Sequence, residues 1–383
     1  MKKIVIAISL TAAAMAPATA SAQSAGTATE GFTLVWQDLF DGDALNRNRW
    51  NIEVNGSGGG NNELQYYTDR TENVRVENGC LVLTARREQY NNRNFTSGRI
   101  NSKNLIAFTH GMIEASIKLP KTANGLWPAF WMMGNDYDQV GWPKCGETDI
   151  VEMGNAEGIK AGSQERFFNG ACHWGQGWPA ASYAKSSSHL YSLQDGEFHL
   201  FTVVWDENRV LMYVDRDKYP KYNPYYKLDF PQTEPDNEWS PGNYFHKDNF
   251  ILFNLAVGGD FTGIHQAGNI TALNEDNGNE SSMFVDYVKI YQKGVESEHT
   301  DFKDPGDPLE AGIQSAELTD GGIYEITYDG DLLSSPGSEL SLFTAAGRCV
   351  AKSATGQIST KGLTPGIYMA SNRHCTCKVL IKH

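Results

Sequence analysis

Three acids fall within the six positions Glu147-Thr148-Asp149-Ile150-Val151-Glu152, a run bounded by Gly146 and, after Met153, by Gly154. β-Branched Ile150 and Val151 between bounding glycines predict a short buried strand. Side chains two positions apart on a strand share a face, so Glu147 and Asp149 point together. Glu152, which follows Glu147 by five positions, would face the other way on a regular strand. One extra residue between Asp149 and Glu152, a β-bulge, returns it to the shared face. The two glutamates are then four effective steps, about 13 Å, apart along the backbone. Long side chains leaning together narrow that gap toward the roughly 5–5.5 Å between two carboxyls that cleave a glycosidic bond with retention. A calcium-binding loop would alternate Asp and Asn around a turn glycine, and this run does not.

Runs rich in tryptophan surround the acids: Leu126-Trp127-Pro128-Ala129-Phe130-Trp131, Trp142-Pro143, Cys172-His173-Trp174 and Gly177-Trp178-Pro179. Indole offers a large apolar face and one polar handle, which suits the axial C–H face of a pyranose. Trp127, Trp131 and Trp174 are expected along a sugar groove, and Trp142 and Trp178 fit a groove or a core equally. Trp205, inside an apolar run, is expected in the core. Asn62, in the polar loop Gly58–Tyr67, can donate to and accept from vicinal hydroxyls. Arg99 either bonds a hydroxyl, orients a glutamate or forms a surface ion pair. His173 either steadies a carboxylate and touches the sugar or is structural.

The elements that must position these groups read as strands. Cys80–Ala85, Met112–Leu119, Phe198–Trp205, Val210–Val214, Phe250–Val257 and Met283–Tyr291 are short β-type runs between turn signals, and long helical periodicity is absent. An all-β sandwich or jelly roll is expected over residues 30–293. Gly294–Gly312 is acidic, carries Asp304-Pro305-Gly306-Asp307-Pro308 and reads as a linker. Residues 313–383 regain short strands (Ile323–Tyr328, Leu340–Phe343, Ile367–Ala370, Lys378–Ile381), enough for a small C-terminal β-sandwich module.

Residues 1–22 read as a signal peptide: Lys2 and Lys3, the apolar stretch Ile4–Ala16, then Ala20-Ser21-Ala22. An exported or cell-surface protein without membrane insertion is therefore expected, since no other stretch approaches the ~20 apolar residues of a spanning helix. The formal charge of −14 disfavours nucleic acid and anionic membranes and suits a neutral polymer. Six cysteines divide three and three between the body (Cys80, Cys145, Cys172) and the tail (Cys349, Cys375, Cys377). Odd numbers in each half imply no disulfide framework, and the spacings fit no zinc site.

Trp142-Pro143-Lys144-Cys145-Gly146-Glu147-Thr148-Asp149-Ile150-Val151-Glu152 closely resembles the signature of glycoside hydrolase family 16, in its laminarinase-like branch. The resemblance extends from Phe32 to about Gln292, through Leu34–Gly42, Asn61–Thr68, Trp127–Trp131 and Val285–Tyr291. It implies a concanavalin-like β-jelly roll with an open groove for endo-attack on β-glucan. Glu147 is similar to the family's nucleophile, Glu152 to its acid/base and Asp149 to the acid between them. The extra residue matches the bulged form of β-1,3-glucanases, while dedicated lichenases carry a shorter, unbulged motif. Laminarin and mixed-linkage β-1,3-1,4-glucan both fit such a groove, no catalytic cofactor is implied, and a monomer is expected. Many relatives hold a structural calcium at positions matching Asp286 and the Gly79 carbonyl, although Leu39 stands where the family usually has Glu. Thr148 stands where the family often has Ile or Leu. In the tail, Leu340–Arg348, Leu363–Tyr368 and Lys378–Lys382 resemble a type IX secretion sorting module, which would make the secretion machinery a partner.

Overall fold

The computed structural model describes residues 31–177, 181–230, 233–307, 327–328, 331–335, 339–344, 349–364, 366–372 and 376–381. The expected signal peptide and Trp178 lie outside them.

Two antiparallel-dominated sheets face each other. The larger, of ten strands, runs in the order Tyr226–Asp229, Arg209–Val214, His199–Asp206, Gly111–Lys118, Glu280–Gln292, Cys80–Tyr90, Arg93–Ser97 and Gln65–Tyr67. Thr33–Asp38 also pairs with Glu280–Gln292, and Val74–Glu77 with Cys80–Tyr90. The smaller, of nine strands, runs Ala181–His189, Phe167–Gly175, Glu147–Met153, Leu126–Gly134, Asn249–Val257, Arg99–Asn101 and Asn51–Ile52. Ile106–Thr109 joins it on Asn249–Val257 and carries His299–Phe302 on its other side. This is the all-β sandwich expected from the spacing of the apolar runs: four of them are strands extended at one or both ends, and Met112–Leu119 and Phe198–Trp205 are strands shifted by one residue.

Alternation explains which side chains fill the space between the sheets. Phe130, Met132, Ile150, Val151, Cys172, Ile251, Phe253 and Leu255 from the smaller sheet meet Leu81, Leu83, Ile113, Ala115, Phe201, Val203 and Ile290 from the larger. Phe130 stacks on Phe253 with ring centres 4.7 Å apart, and Trp205 is buried as expected, its indole N–H donating to the Phe245 carbonyl at 2.9 Å. The inner face is dominated by apolar side chains, with buried Thr148 a polar exception beside Cys172, and the charged side chains of the acidic strand are displayed on the outer face.

The segment expected as a linker differs from that reading over its described part. His299–Phe302 is a strand of the smaller sheet, and the Glu298 carboxylate accepts from the backbone N–H groups of Lys293, Gly294 and Val295. Beyond it, buried Arg49 pairs with Asp38 (3.2 Å), Asp304 (2.7 Å) and Asp307 (2.8 Å). The Leu39 N–H donates to Asp307 (2.6 Å), the Trp50 indole to Asp38 (2.7 Å) and the Trp36 indole to the Asp304 carbonyl (3.2 Å). Acidic composition with Pro and Gly resembles a solvated tether, but here two of the acids are counterions for a cation already inside the fold. The domain therefore extends past Lys293 and at least to Asp307.

In the tail, strands at Leu332–Ser334, Leu340–Thr344, Cys349–Ser353, Gln357–Ser359, Gly366–Asn372 and Thr376–Ile381 form a small sheet with Thr327–Tyr328 and a four-stranded sheet. Leu333, Leu340, Leu342, Ile358, Tyr368 and Ala370 share one apolar cluster of their own. The Gly347-Arg348 turn of the expected sorting motif lies outside the described residues.

The Arg49 cluster generates a boundary test. Removing one partner of a buried ion pair costs about 3–5 kcal/mol, because the remaining charges stay desolvated. Arg49→Ala is expected to lose about that much in urea unfolding. A chain ending at Lys293 should be destabilised similarly relative to one ending at Asp307. Equal midpoints for the two truncations would return the segment to the status of a tether.

Candidate active site

The acidic strand Glu147–Met153 is central in the smaller sheet, and its register fixes where its carboxyls go. On one side Glu147, Thr148 and Asp149 pair with His173, Cys172 and Ala171, yet Glu152 pairs with Asn169, so three steps on one strand match two on the other. On the other side Glu147, Asp149 and Glu152 oppose Met133, Trp131 and Ala129, positions of a single alternating face. The expected bulge is present, and Ile150 and Val151 both enter the core. All three acids consequently share the outer face.

Each acid has a specific neighbour. The Trp127 indole N–H donates to Glu152 Oε1 at 3.0 Å, and Trp142 donates a side-chain hydrogen bond to Glu147. His173 Nε2 lies 3.3 Å from Asp149 Oδ2 and 3.9 Å from Glu147 Oε1. Arg99 Nε lies 2.9 Å from Glu53 Oε1, and its guanidinium covers the Trp131 ring at 4.9 Å. The Trp131 indole in turn donates to Asn254 Oδ1 at 2.7 Å. Met133, Cys145, Phe250 and Leu252 form an apolar cluster on which Trp131 and Trp142 rest.

Burial dominates the electrostatics. It pushes the Glu147 carboxyl up to about 8, with the Asp149 charge adding to the rise, while His173, Arg99 and the Trp142 hydrogen bond oppose it. Burial also raises Asp149 to about 8. Glu152 is raised well above the usual carboxylate range by burial first, then by the Asp149 and Glu147 charges. Three like charges in one desolvated patch cannot all form cheaply, so the set holds protons near neutrality. The arrangement can therefore offer a carboxylate and a carboxylic acid at the same time.

The expected binding residues divide. Arg99, Trp131 and His173 lie on the outer face beside the acids. Trp127 borders Glu152, but Phe261 stacks on its ring at 4.6 Å and 12°, so it acts as a wall and a hydrogen-bond donor more than as an open platform. Trp174 does not belong to the outer face. Alternation after His173 turns it into the core, where it meets Phe245 edge-on at 5.9 Å and its indole N–H donates to the Trp239 carbonyl at 3.0 Å. Asn62 is exposed with φ of 56°, and its amide donates to both Asp260 oxygens at 3.2 and 3.0 Å. It sits on a loop tied through Asp260 N–H to the Asn61 carbonyl, one residue from Phe261. Sequence reasoning missed Glu53, Asn254 and Phe261, which come from segments with no motif of their own.

Asp286 occupies a bulge of the Glu280–Gln292 strand, next to Val285, which pairs with Leu81. Gly79 lies in the turn between Val74–Glu77 and Cys80–Tyr90, at φ of 68°. Through the Val285–Leu81 pair, the bulge carrying Asp286 and the turn carrying Gly79 belong to neighbouring strands of the larger sheet. Position 39 adds no side-chain oxygen, and its backbone N–H is directed at Asp307.

The sequence model described as Glycosyl hydrolases family 16 matches residues 61–238. A glucan endo-1,3-beta-glucosidase of Cryptopygus antarcticus is 34% identical over 271 residues, covering 67% of this chain and 91% of the relative. Glucan endo-1,3-beta-glucosidase A1 of Niallia circulans is 34% identical over 297 residues, and the match spans 70% of this chain but 40% of that longer protein. Among solved structures, a Bacteroides ovatus mixed linkage glucan GH16 protein in complex with a G4G4G3G product is 38% identical, with a TM-score of 0.58 over 67% of this chain and 100% of its own. With the bulged acidic strand on the outer face of a two-sheet sandwich, these similarities agree in one assignment: the chain belongs to glycoside hydrolase family 16.

Proposed function

We propose that this protein is a secreted, endo-acting, retaining β-glucanase that hydrolyses β-1,3-glucan such as laminarin. The observation carrying the reading is the bulge that returns Glu152 to the face of Glu147 and Asp149, each glutamate held by an indole donor. β-1,3-Glucan is the substrate class named for the Cryptopygus and Niallia relatives. The mixed-linkage name of the Bacteroides structure favours β-1,3-1,4-glucan as a second substrate. A binding-only protein on the same fold is disfavoured, since all three acids are retained.

In the proposed double displacement, ionised Glu147 attacks the anomeric carbon while protonated Glu152 gives its proton to the departing glycosyl oxygen. A covalent glycosyl–Glu147 ester results. Glu152, now a carboxylate, takes a proton from water, whose oxygen attacks the same carbon and frees Glu147. Asp149 shares the site's protons with both glutamates: when ionised it raises Glu152 and keeps it protonated, and its protonation changes as the ester forms and the Glu147 charge is lost. His173 lowers both glutamates, but Arg99 and the Trp142 hydrogen bond favour the ionised form of Glu147 alone, so nucleophile and acid are set apart by those neighbours.

Export through the leader at residues 1–22, type IX sorting by the tail, and a monomeric state complete the reading. Asp286 and the Gly79 carbonyl would hold a structural Ca2+ that fastens a bulge to a turn and takes no part in the chemistry.

Glu147→Ser is expected to lower kcat on laminarin by at least about 10⁴-fold while oligosaccharide binding by calorimetry persists. Wild-type turnover in that variant would remove Glu147 as nucleophile. NMR of the first-formed anomer should show the β form from laminarin and barley β-glucan alike, and an α product would contradict the pair. Asp149→Asn takes away a charge that raises both glutamates, so both limbs of the kcat/KM–pH profile should move to lower pH by about one unit or more. An unmoved profile would deny Asp149 that influence. Stripping Ca2+ should lower Tm by about 5–10 °C, restored on re-addition, with kcat at 25 °C unchanged. Identical melting with and without Ca2+ would dismiss the metal.

A further inference from the structure

Glu147, Asp149 and His173 each present one donor atom within 4.8 Å of the other two, and among the described residues they are the one such grouping of His, Cys, Asp and Glu. His173 Nε2 stands 3.3 Å from Asp149 Oδ2 and 3.9 Å from Glu147 Oε1. A tetrahedral ion with bonds of about 2.0–2.2 Å to nitrogen and oxygen needs donors about 3.4 Å apart. The His173–Asp149 spacing matches that edge, His173–Glu147 exceeds it by about half an ångström, and the Glu147–Asp149 pair lies within 4.8 Å, so side-chain rotation would place three donors around one centre.

The donors are also held in place. Glu147 and His173 are cross-strand partners, and Asp149 shares their face two residues along. Backbone pairing and the buried packing beneath them restrict their rotamers, which lowers the ordering cost of capturing an ion. One imidazole and two carboxylates form a set preferred by borderline transition metals, whereas Ca2+ wants six to eight hard oxygens.

We infer that the catalytic strand is a binding site for Zn2+ or a similar divalent transition ion, and that the ion acts as a reversible inhibitor competing with substrate. The ion would neutralise the two carboxylates and occupy the place where the anomeric carbon must approach Glu147. Its fourth position is open to water. The inhibitory consequence rests on Glu147 being the nucleophile; the binding itself does not.

The test uses the full-length chain stripped with chelator. Calorimetry with ZnCl2 should report one ion per catalytic domain, and a β-glucan oligosaccharide should reduce its affinity. Co2+ as a spectroscopic stand-in should give visible d–d bands without the near-ultraviolet charge-transfer bands of thiolate ligation. On laminarin, Zn2+ should raise apparent KM with kcat unchanged, and chelator should reverse it. His173→Gln should weaken zinc inhibition of whatever activity remains by about tenfold or more, and Asp149→Asn should do the same if the histidine variant does not fold. Absence of binding up to millimolar Zn2+, thiolate bands, or binding that oligosaccharide does not disturb would overturn the inference. Should the chain prove inactive on every glucan, the calorimetric and Co2+ measurements would still decide the metal site, so the two readings fail separately.

Discussion

Three carboxyls packed on one desolvated face are the constraint around which the site is built. Placing a charge there is costly, and the cost rises steeply with each further charge. The neighbours reduce it unevenly: His173 acts on both glutamates, Arg99 and Trp142 act on Glu147, and Trp127 acts on Glu152. The sign of the linkage follows. With Glu147 and Asp149 raised to about 8, the folded state holds protons more tightly than the unfolded chain. The protons' contribution to stability is fully present below the unfolded carboxylate range and is lost as pH rises through about 8. Stability is surrendered at neutral pH in exchange for a carboxylate and an acid side by side, a common pattern where activity requires a strained site.

That exchange depends on register more than on local composition. A sheet allows side chains only two directions, so one inserted residue decides whether Glu152 joins the other acids or enters the core. Period-two reasoning found this because both the acids and the β-branched pair between them were visible in one short run. The same rule was available for His173 and Trp174, which cannot both face outward from adjacent positions; the groove expectation for Trp174 set it aside, and the indole is in the core. Glu53, Asn254 and Phe261 carried no signal, since each acquires its role through a strand or loop distant in sequence. The sandwich itself was legible because its strands are long, apolar on alternate positions and separated by clear turns.

The edge of the domain was the least legible part. Composition reports solvent preference residue by residue, whereas an ion cluster is a property of partners. Asp304 and Asp307 read as solvated until Arg49, 255 and 258 positions earlier, is placed against them. The clasp also accounts for Leu39. With Asp307 receiving the backbone N–H of that residue, the region is organised by protein carboxylates around an arginine, and a further acid at position 39 would add negative charge to a cluster already holding Asp38, Asp304 and Asp307.

Charge also bears on the proposed substrate. An anionic chain, sulfated or uronic, would bring its own charge against a chain of net −14 and against a patch whose acids already resist ionisation. Binding it would raise those carboxyls further and suppress the ionised nucleophile on which the first displacement depends. A neutral glucan has no such penalty and leaves the protonation pattern intact. The catalytic electrostatics therefore favour a neutral polymer independently of how its shape fits the outer face.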